Sequence, residues 1–258
     1  MTPSLETTWP INDFYNPVET ASLFEAISHR QSCRRFHSAP STQQWNDLNA
    51  AAGRLALPGS RLALGLCNTT LFQPFFGLLM KFENVQRYAA VIVKDDQAQS
   101  VVNAGVSGEM LMLYAVSLGL AGVWVAGTYK RKDVTLALSP GERVVALIAL
   151  GVPLEPAKPP LSRKRRALRE LCQSDLSGVP AALREIPPAV QAAPSALNAQ
   201  PWRMRYEPDR ALSLRVTGSA KRLDLGIATA HAVLALGKTP ALFTLSDDGL
   251  TVRISLLA

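Results

Sequence analysis

The chain has 258 residues, of which 48% are hydrophobic and 18% charged, and its formal net charge is +7. That apolar content supports a sizeable core and excludes a disordered chain. Three widely spaced cysteines, Cys33, Cys67 and Cys172, exclude a disulfide framework and a Cys-x-x-Cys pair, and they fit a reducing cytosol.

Residues Met1 to Trp9 are polar and hold no apolar signal core, so no secretion signal is expected. Asn16-Pro17-Val18-Glu19 combines a capping residue, a first-turn proline and a capping-box glutamate. It predicts a helix running to about Arg30, with Leu23, Ala26, Ile27 and Arg30 on one face. Ser41-Thr42-Gln43-Gln44 opens a second helix in the same manner, with Trp45, Leu48 and Ala52 inward. Leu62, Leu64 and Leu66 alternate as in a half-buried strand, and Ala89 to Val93 is a short apolar strand. A long helix is predicted from about Gln97 to Leu118, followed by a strand over Val123 to Ala126. Met110 to Tyr129 carries no charge and is long enough to span a bilayer. Its glycines give the other reading, a buried helix ending at Gly119 and then a short buried strand, so no membrane association is expected.

Val144 to Leu150 is a further apolar run, closed by Gly151-Val152-Pro153. Residues 154 to 162 read as a proline-rich connection and the run after them as a basic helix. Gly178 to Pro188 is punctuated by prolines. Arg203 to Tyr206 and Leu212 to Val216 read as strands, and Asp224 caps a helix ending near Gly237. Ala241 to Leu245 and Leu250 to Leu256 flank Ser246-Asp247-Asp248-Gly249, a hairpin signal. Antiparallel pairs mixed with helices make an α+β chain. The helix around Ala115-Val116 ending at Gly119 is faintly echoed around Ala232-Val233 ending at Gly237.

Four segments could carry chemistry. Arg30-Gln31-Ser32-Cys33-Arg34-Arg35-Phe36 offers three guanidiniums and a hydroxyl, suited to a phosphate and a polar ring edge. In an extended backbone Arg30, Ser32 and Arg34 point the same way. The plain alternative is a solvent-facing basic turn. In Pro194-Ser195-Ala196-Leu197-Asn198-Ala199-Gln200-Pro201-Trp202, Asn198 and Gln200 could bond a planar heterocycle with Trp202 behind, or simply cap a turn. In Trp124-Val125-Ala126-Gly127-Thr128, a glycine after a buried strand lets backbone amides approach a ligand, or merely ends the strand. The run Arg163-Lys164-Arg165-Arg166, with Arg169 beyond it, suits a phosphate or a solvated face. Nucleic acid is not expected as a partner: zinc-ligand spacing and aromatic-interleaved basic motifs are both missing from the sequence. None of the three histidines lies in these segments, and His231, in mid-helix, reads as a core or interface residue.

Together these segments resemble the FMN-dependent nitroreductase family. Its Arg-x-Ser-x-Arg/Lys pattern is matched by Arg30, Ser32 and Arg34. Its central helix, glycine turn and short strand are matched by Leu118-Gly119-Leu120-Ala121-Gly122-Val123-Trp124. Leu150-Gly151-Val152-Pro153 matches a strand ending Leu-Gly-x-Pro, and Arg163 and Arg165 match a basic pair. Residues 194 to 202 match Pro-Ser-x-x-Asn-x-Gln-Pro-Trp at every specified position. The resemblance covers about residues 16 to 240. In ordinary members that last motif closely follows the first arginines and reaches into the partner subunit's site. Here it comes much later, beginning at Pro194 where the arginine pattern ends at Arg34.

The resemblance therefore implies an α+β nitroreductase-like fold, with antiparallel or mixed sheets flanked by helices, built as an internal pseudo-dimer. Residues 1–172 would form the first half and 173–258 a degenerate second half that completes one good FMN site. Such a chain could be monomeric, and the compartment implied is cytoplasmic. Arg30, Ser32, Arg163 and Arg165 would hold the FMN phosphate and ribityl chain, with the choice among 163 to 166 left open. Arg34 would stand at the pyrimidine edge, and the amides of Ala126 and Gly127 at the N5/O4 edge. Pro194, Ser195, Ala196 and Asn198 would contact the ring. Ala126 stands where many members carry an acidic residue, so only a backbone role carries over there. The implied activity is NAD(P)H-driven reduction of a small electron acceptor, nitroaromatic or quinone-like, with no catalytic acid or base identified. The competing readings are a non-enzymatic flavin sensor or carrier and a nucleic-acid binder acting through residues 163–169.

Overall fold

The computed structural model describes residues 6–7, 17–73, 81–157, 164–172, 178–207 and 209–257. The chain divides into two compact units, one of residues 29–163 and the other of residues 1–28 with 164–258. The segment 1–28 thus groups with residues 164–258. That segment holds β1, Glu6–Thr7, and helix α1, Pro17–His29. Helix α1 ends where the sequence places its end, but its capping residues lie outside the residues whose side chains are described.

The unit 29–163 opens with β2, Phe36–Ser38, and α2, Thr42–Arg54. Ser41 and Gln44 form the expected reciprocal cap: the Gln44 backbone N–H donates to Ser41 Oγ at 3.2 Å, and the Ser41 N–H donates to Gln44 Oε1 at 2.9 Å. Strands β3, Ser60–Leu66, and β4, Arg87–Val93, follow, then α3, Ala98–Ser117, β5, Ala121–Val125, and β6, Arg143–Pro153. These strands pair antiparallel: β4 lies between β3 and β6, and β5 takes the other edge of β6. Helix α3 ends at Gly119, whose φ of +80° suits glycine, while the Leu120 N–H donates back to the Ala115 carbonyl at 3.0 Å. The alternation expected in β3 is only partly observed. Leu62 is buried and Leu66 exposed, while Ala63 turns toward the core cluster around Tyr88, Ile92 and Leu147.

One surface tie in this unit is acid-sensitive. Glu142 accepts from Arg61 Nε at 2.7 Å and Nη2 at 2.6 Å, and from the Ser139 backbone N–H at 2.8 Å. The Arg61 guanidinium and that N–H hold its carboxyl down from 4.5 to about 2. Its contribution is complete above 4.5 and is lost as pH falls from there toward about 2. Glu142→Gln should therefore flatten the acid limb of a Tm-against-pH profile in that window. A limb that matches the unsubstituted protein's would show that the tie adds nothing to stability.

In the unit of residues 1–28 and 164–258, short helices α4, Leu168–Leu171, and α5, Ala181–Arg184, precede α6, Ile186–Ala192. Strands β7, Trp202–Glu207, and β8, Ala211–Val216, then α7, Arg222–Leu236, and β9, Ala241–Leu245, and β10, Thr251–Leu256, complete it. The sheet order is β7-β8-β10-β9, extended by β1 beside β9. The expected hairpin is present between β9 and β10, with Gly249 at φ +65°. His231 is fully buried, its Nδ1 2.9 Å from the Ala189 carbonyl. Asp224 does not cap α7, which starts two residues earlier; it lies inside the first turn and accepts from the Ala196 backbone N–H at 3.1 Å. The basic run is not a helix either, because residues 164–167 are irregular and α4 starts only at Leu168.

Each unit thus contains a helix, two strands, a helix and two strands in the same order. The strand order is also the same, β3-β4-β6-β5 in one and β7-β8-β10-β9 in the other.

Candidate functional site

In the unit 29–163, the arginine segment lies between three neighbours. The Cys33 N–H donates to the Gly122 carbonyl of β5 at 3.0 Å, and Leu154 N–H to the Arg35 carbonyl at 3.0 Å. On the third side Glu83 N–H donates to the Arg34 carbonyl at 2.9 Å and Phe36 N–H to the Glu83 carbonyl at 3.1 Å. Beside this segment is a cavity of about 550 Å³, within the range of small-molecule sites. Ser32, Cys33, Arg34, Lys81, Leu120 and Pro153 are among its walls.

The charges around it are unevenly matched. Arg35 bonds Glu83 at 3.1 Å and Glu155 at 2.9 Å, and Lys81 stands 3.2 Å from Glu83. Glu83 raises the Arg35 pKa, so that guanidinium is committed to holding two chain segments. Arg34 is different. Its Nε is buried and finds no hydrogen-bond partner among the described residues, a costly state for a cationic donor unless a ligand supplies an acceptor. Cys33 also faces the cavity, but burial raises its thiol pKa and its Sγ bonds the Arg35 carbonyl, so it stands as a neutral thiol.

Arg30 is placed elsewhere. It is 2% exposed, takes no part in the cavity wall, and its Nε lies 3.7 Å from Glu109 Oε1. Glu109, fully buried on α3, also accepts from Trp124 Nε1 at 2.7 Å. Ala126 and Gly127 follow β5 as an exposed turn, one residue beyond the strand expected to hold Ala126.

Pro194 to Trp202 lies in the other unit, bound to the basic run rather than separate from it. Asn198 accepts from Arg165 Nη1 through its Oδ1 and donates to the Lys164 carbonyl at 3.0 Å. Gln200, buried, accepts from the Arg166 N–H at 2.8 Å and donates to the Asn198 carbonyl at 3.2 Å. Ser195 Oγ accepts from the Gln200 N–H at 2.9 Å, and Arg165 also donates to the Ala192 carbonyl at 3.0 Å. These bonds hold Leu197, Asn198 and Gln200 at φ of +54°, +54° and +47°, a left-handed conformation costly for residues with a Cβ. Leu197, at the tip, is 95% exposed.

Of the sequence-expected site residues, Ser32 and Arg34 meet at the cavity, and Arg165, Ser195, Ala196 and Asn198 meet in the turn. Arg163 lies outside the described residues. Sequence reasoning did not single out Glu109. Its signal was available, since it is the lone charge in the whole of α3. Among the described residues no group of His, Cys, Asp and Glu could hold a metal ion, and no helix is long and apolar enough to cross a membrane.

No curated protein matches the chain. Among solved structures, a Thermotoga maritima protein designated a nitroreductase superposes with a TM-score of 0.64 at 23% identity, covering 91% of this chain and 93% of its own. An FMN-dependent nitroreductase of Clostridium difficile R20291 reaches 0.42 at 14% identity, over 60% of this chain and 96% of its own. An NADPH:FMN oxidoreductase of Vibrio harveyi reaches 0.42 at 18%, over 54% and 72%. The first of these likenesses bears out the nitroreductase fold and the α+β class. A family model described as "Putative TM nitroreductase" matches residues 22–236, most of the chain. The chain therefore belongs to the nitroreductase family of oxidoreductases.

Proposed function

We propose that this chain is an FMN-dependent, NAD(P)H-driven oxidoreductase whose cavity at Ser32 and Arg34 receives the polar part of the flavin. The buried Nε of Arg34, without a partner among the described residues, carries the reading from the wall of that cavity. A permanently charged donor there fits an anionic or carbonyl-rich group, and family membership supports a flavin as its bearer. Ser32 adds an exposed hydroxyl on the same segment. A guanidinium held in this place stabilises negative charge developing on a bound ring without having to reorganise. Ala126 and Gly127, exposed beyond β5, offer backbone amides for an N5/O4 edge. When bound, the flavin would supply hydride acceptance from NAD(P)H and electron delivery to a small nitroaromatic or quinone-like acceptor. The identical strand orders of the two units support the internal-repeat reading.

The test is direct. Protein reconstituted with FMN is expected to bleach near 450 nm when NADH or NADPH is added anaerobically, and to recolour with a quinone. Flavin that stays oxidised with both nucleotides would leave a non-enzymatic flavin binder, and protein that takes up no FMN would refute the proposal. Arg34→Ala should weaken FMN by about 1.5–3 kcal/mol, roughly ten- to a hundredfold, read as Kd by flavin fluorescence quenching. An unchanged Kd would remove Arg34 from the site.

A further inference from the structure

We infer that Arg30 and Glu109 form a positioning pair that seats the cavity wall on helix α3, and that Arg30 is not itself a ligand of the flavin phosphate. This rests on the flavin reading above and departs from the role that family resemblance gives Arg30. The observations are local to the unit 29–163. Arg30 is 2% exposed and outside the cavity wall, while Gln31, Ser32, Cys33, Arg34 and Arg35, the next residues along, all line it. The Arg30 Nε instead stands at ion-pair distance, 3.7 Å, from Oε1 of Glu109, which is itself fully buried.

The same carboxylate takes the Trp124 indole N–H at 2.7 Å. Trp124 belongs to β5, and β5 carries the arginine segment through the Ser32–Gly122 bridge and the Cys33 N–H bond to the Gly122 carbonyl. One buried carboxylate therefore holds both neighbouring strands of the wall, one through Arg30 and the other through Trp124. Where Ser32 and Arg34 stand in the cavity depends on that seat. A buried cation drawn out to a ligand would leave Glu109 charged inside the core, a state far costlier than the pair itself. Such a pair suits positioning: it fixes a geometry, and matched apolar residues can replace it with little loss of stability.

The experiment compares FMN with riboflavin, which lacks the phosphate, on Arg30→Met, Glu109→Met and the double variant, each at a temperature where it is folded. Each single variant should lower the thermal midpoint by roughly 5–15 °C, because it strands one buried charge. Each should also weaken FMN and riboflavin by the same factor, roughly tenfold to a hundredfold, as the wall shifts. The double variant should recover most of the midpoint and of both affinities. Arg30→Lys, which keeps the cation, should recover much of both flavin affinities lost in Arg30→Met. Loss of FMN affinity alone in Arg30→Met, with riboflavin and the midpoint unchanged, would make Arg30 a phosphate ligand and overturn the inference. If the unsubstituted protein takes up neither flavin, the proposed function fails. The midpoints then decide this inference alone: recovery in the double variant upholds the pair, and additive losses refute it.

Discussion

Trp202→Ala should lower unfolding free energy by about 3–5 kcal/mol, the usual cost of emptying a large aromatic site in a core. Trp202 opens β7 opposite Val216 and is fully buried, and it is among the largest fully buried side chains described. Inward Met204 and Tyr206 alternate along β7 with exposed Arg203 and Arg205, so the ring belongs to the buried face of the strand. The indole N–H is buried without a hydrogen-bond partner among the described residues. Trp202→Phe removes that unpaired donor and less volume, so it should cost clearly less than alanine. Urea denaturation of the three proteins side by side tests this. If alanine and phenylalanine cost the same, the volume of the hole does not govern the site.

Gly108→Val should cost on the order of 3 kcal/mol, with Gly108→Ala in the same direction but smaller. A Cβ at 108 would fall 2.3 Å from Trp124 Cη2 and 3.1 Å from Val91 Cγ2. The indole must then move, and with it the charge-assisted bond to Glu109 next along the helix. The predicted signature is double: a lower denaturation midpoint and a changed near-UV circular dichroism band from the tryptophan. A variant with a native midpoint and band would mean that the helix moves instead of the ring.

The elements were legible where local chemistry decides them. Ser41 and Gln44 signal α2, Gly119 stops α3, and Asp248-Gly249 turns the last hairpin, each through bonds made within a few residues. The errors came where distant partners decide. The basic run 164–167 is not helical because Asn198 and Gln200 take its backbone and Arg165 takes Asn198. Spacing alone cannot show that a motif's amides are used by the chain itself. The carboxylate that stands 3.7 Å from Arg30 belongs to helix α3, remote in sequence, and the spacing of Arg30, Ser32 and Arg34 could not point to it. Asp224 looked like a cap for its own helix and instead serves the Ala196 N–H. Family membership was legible earlier than the site, because a signature survives in sequence even when its side chains have found partners at home.

The division of the chain also bears on its synthesis. The unit 29–163 is continuous, so all of its strands leave the ribosome before β7 to β10 do. The other unit is split, and β1 must wait for β9, close to the opposite end of the chain, before it has a partner. Closing so long a loop late in translation is slow relative to local folding. Nascent chains long enough to carry residue 163 clear of the ribosome should already resist protease across the described residues of the first unit, while β7 to β10 gain protection only in longer chains.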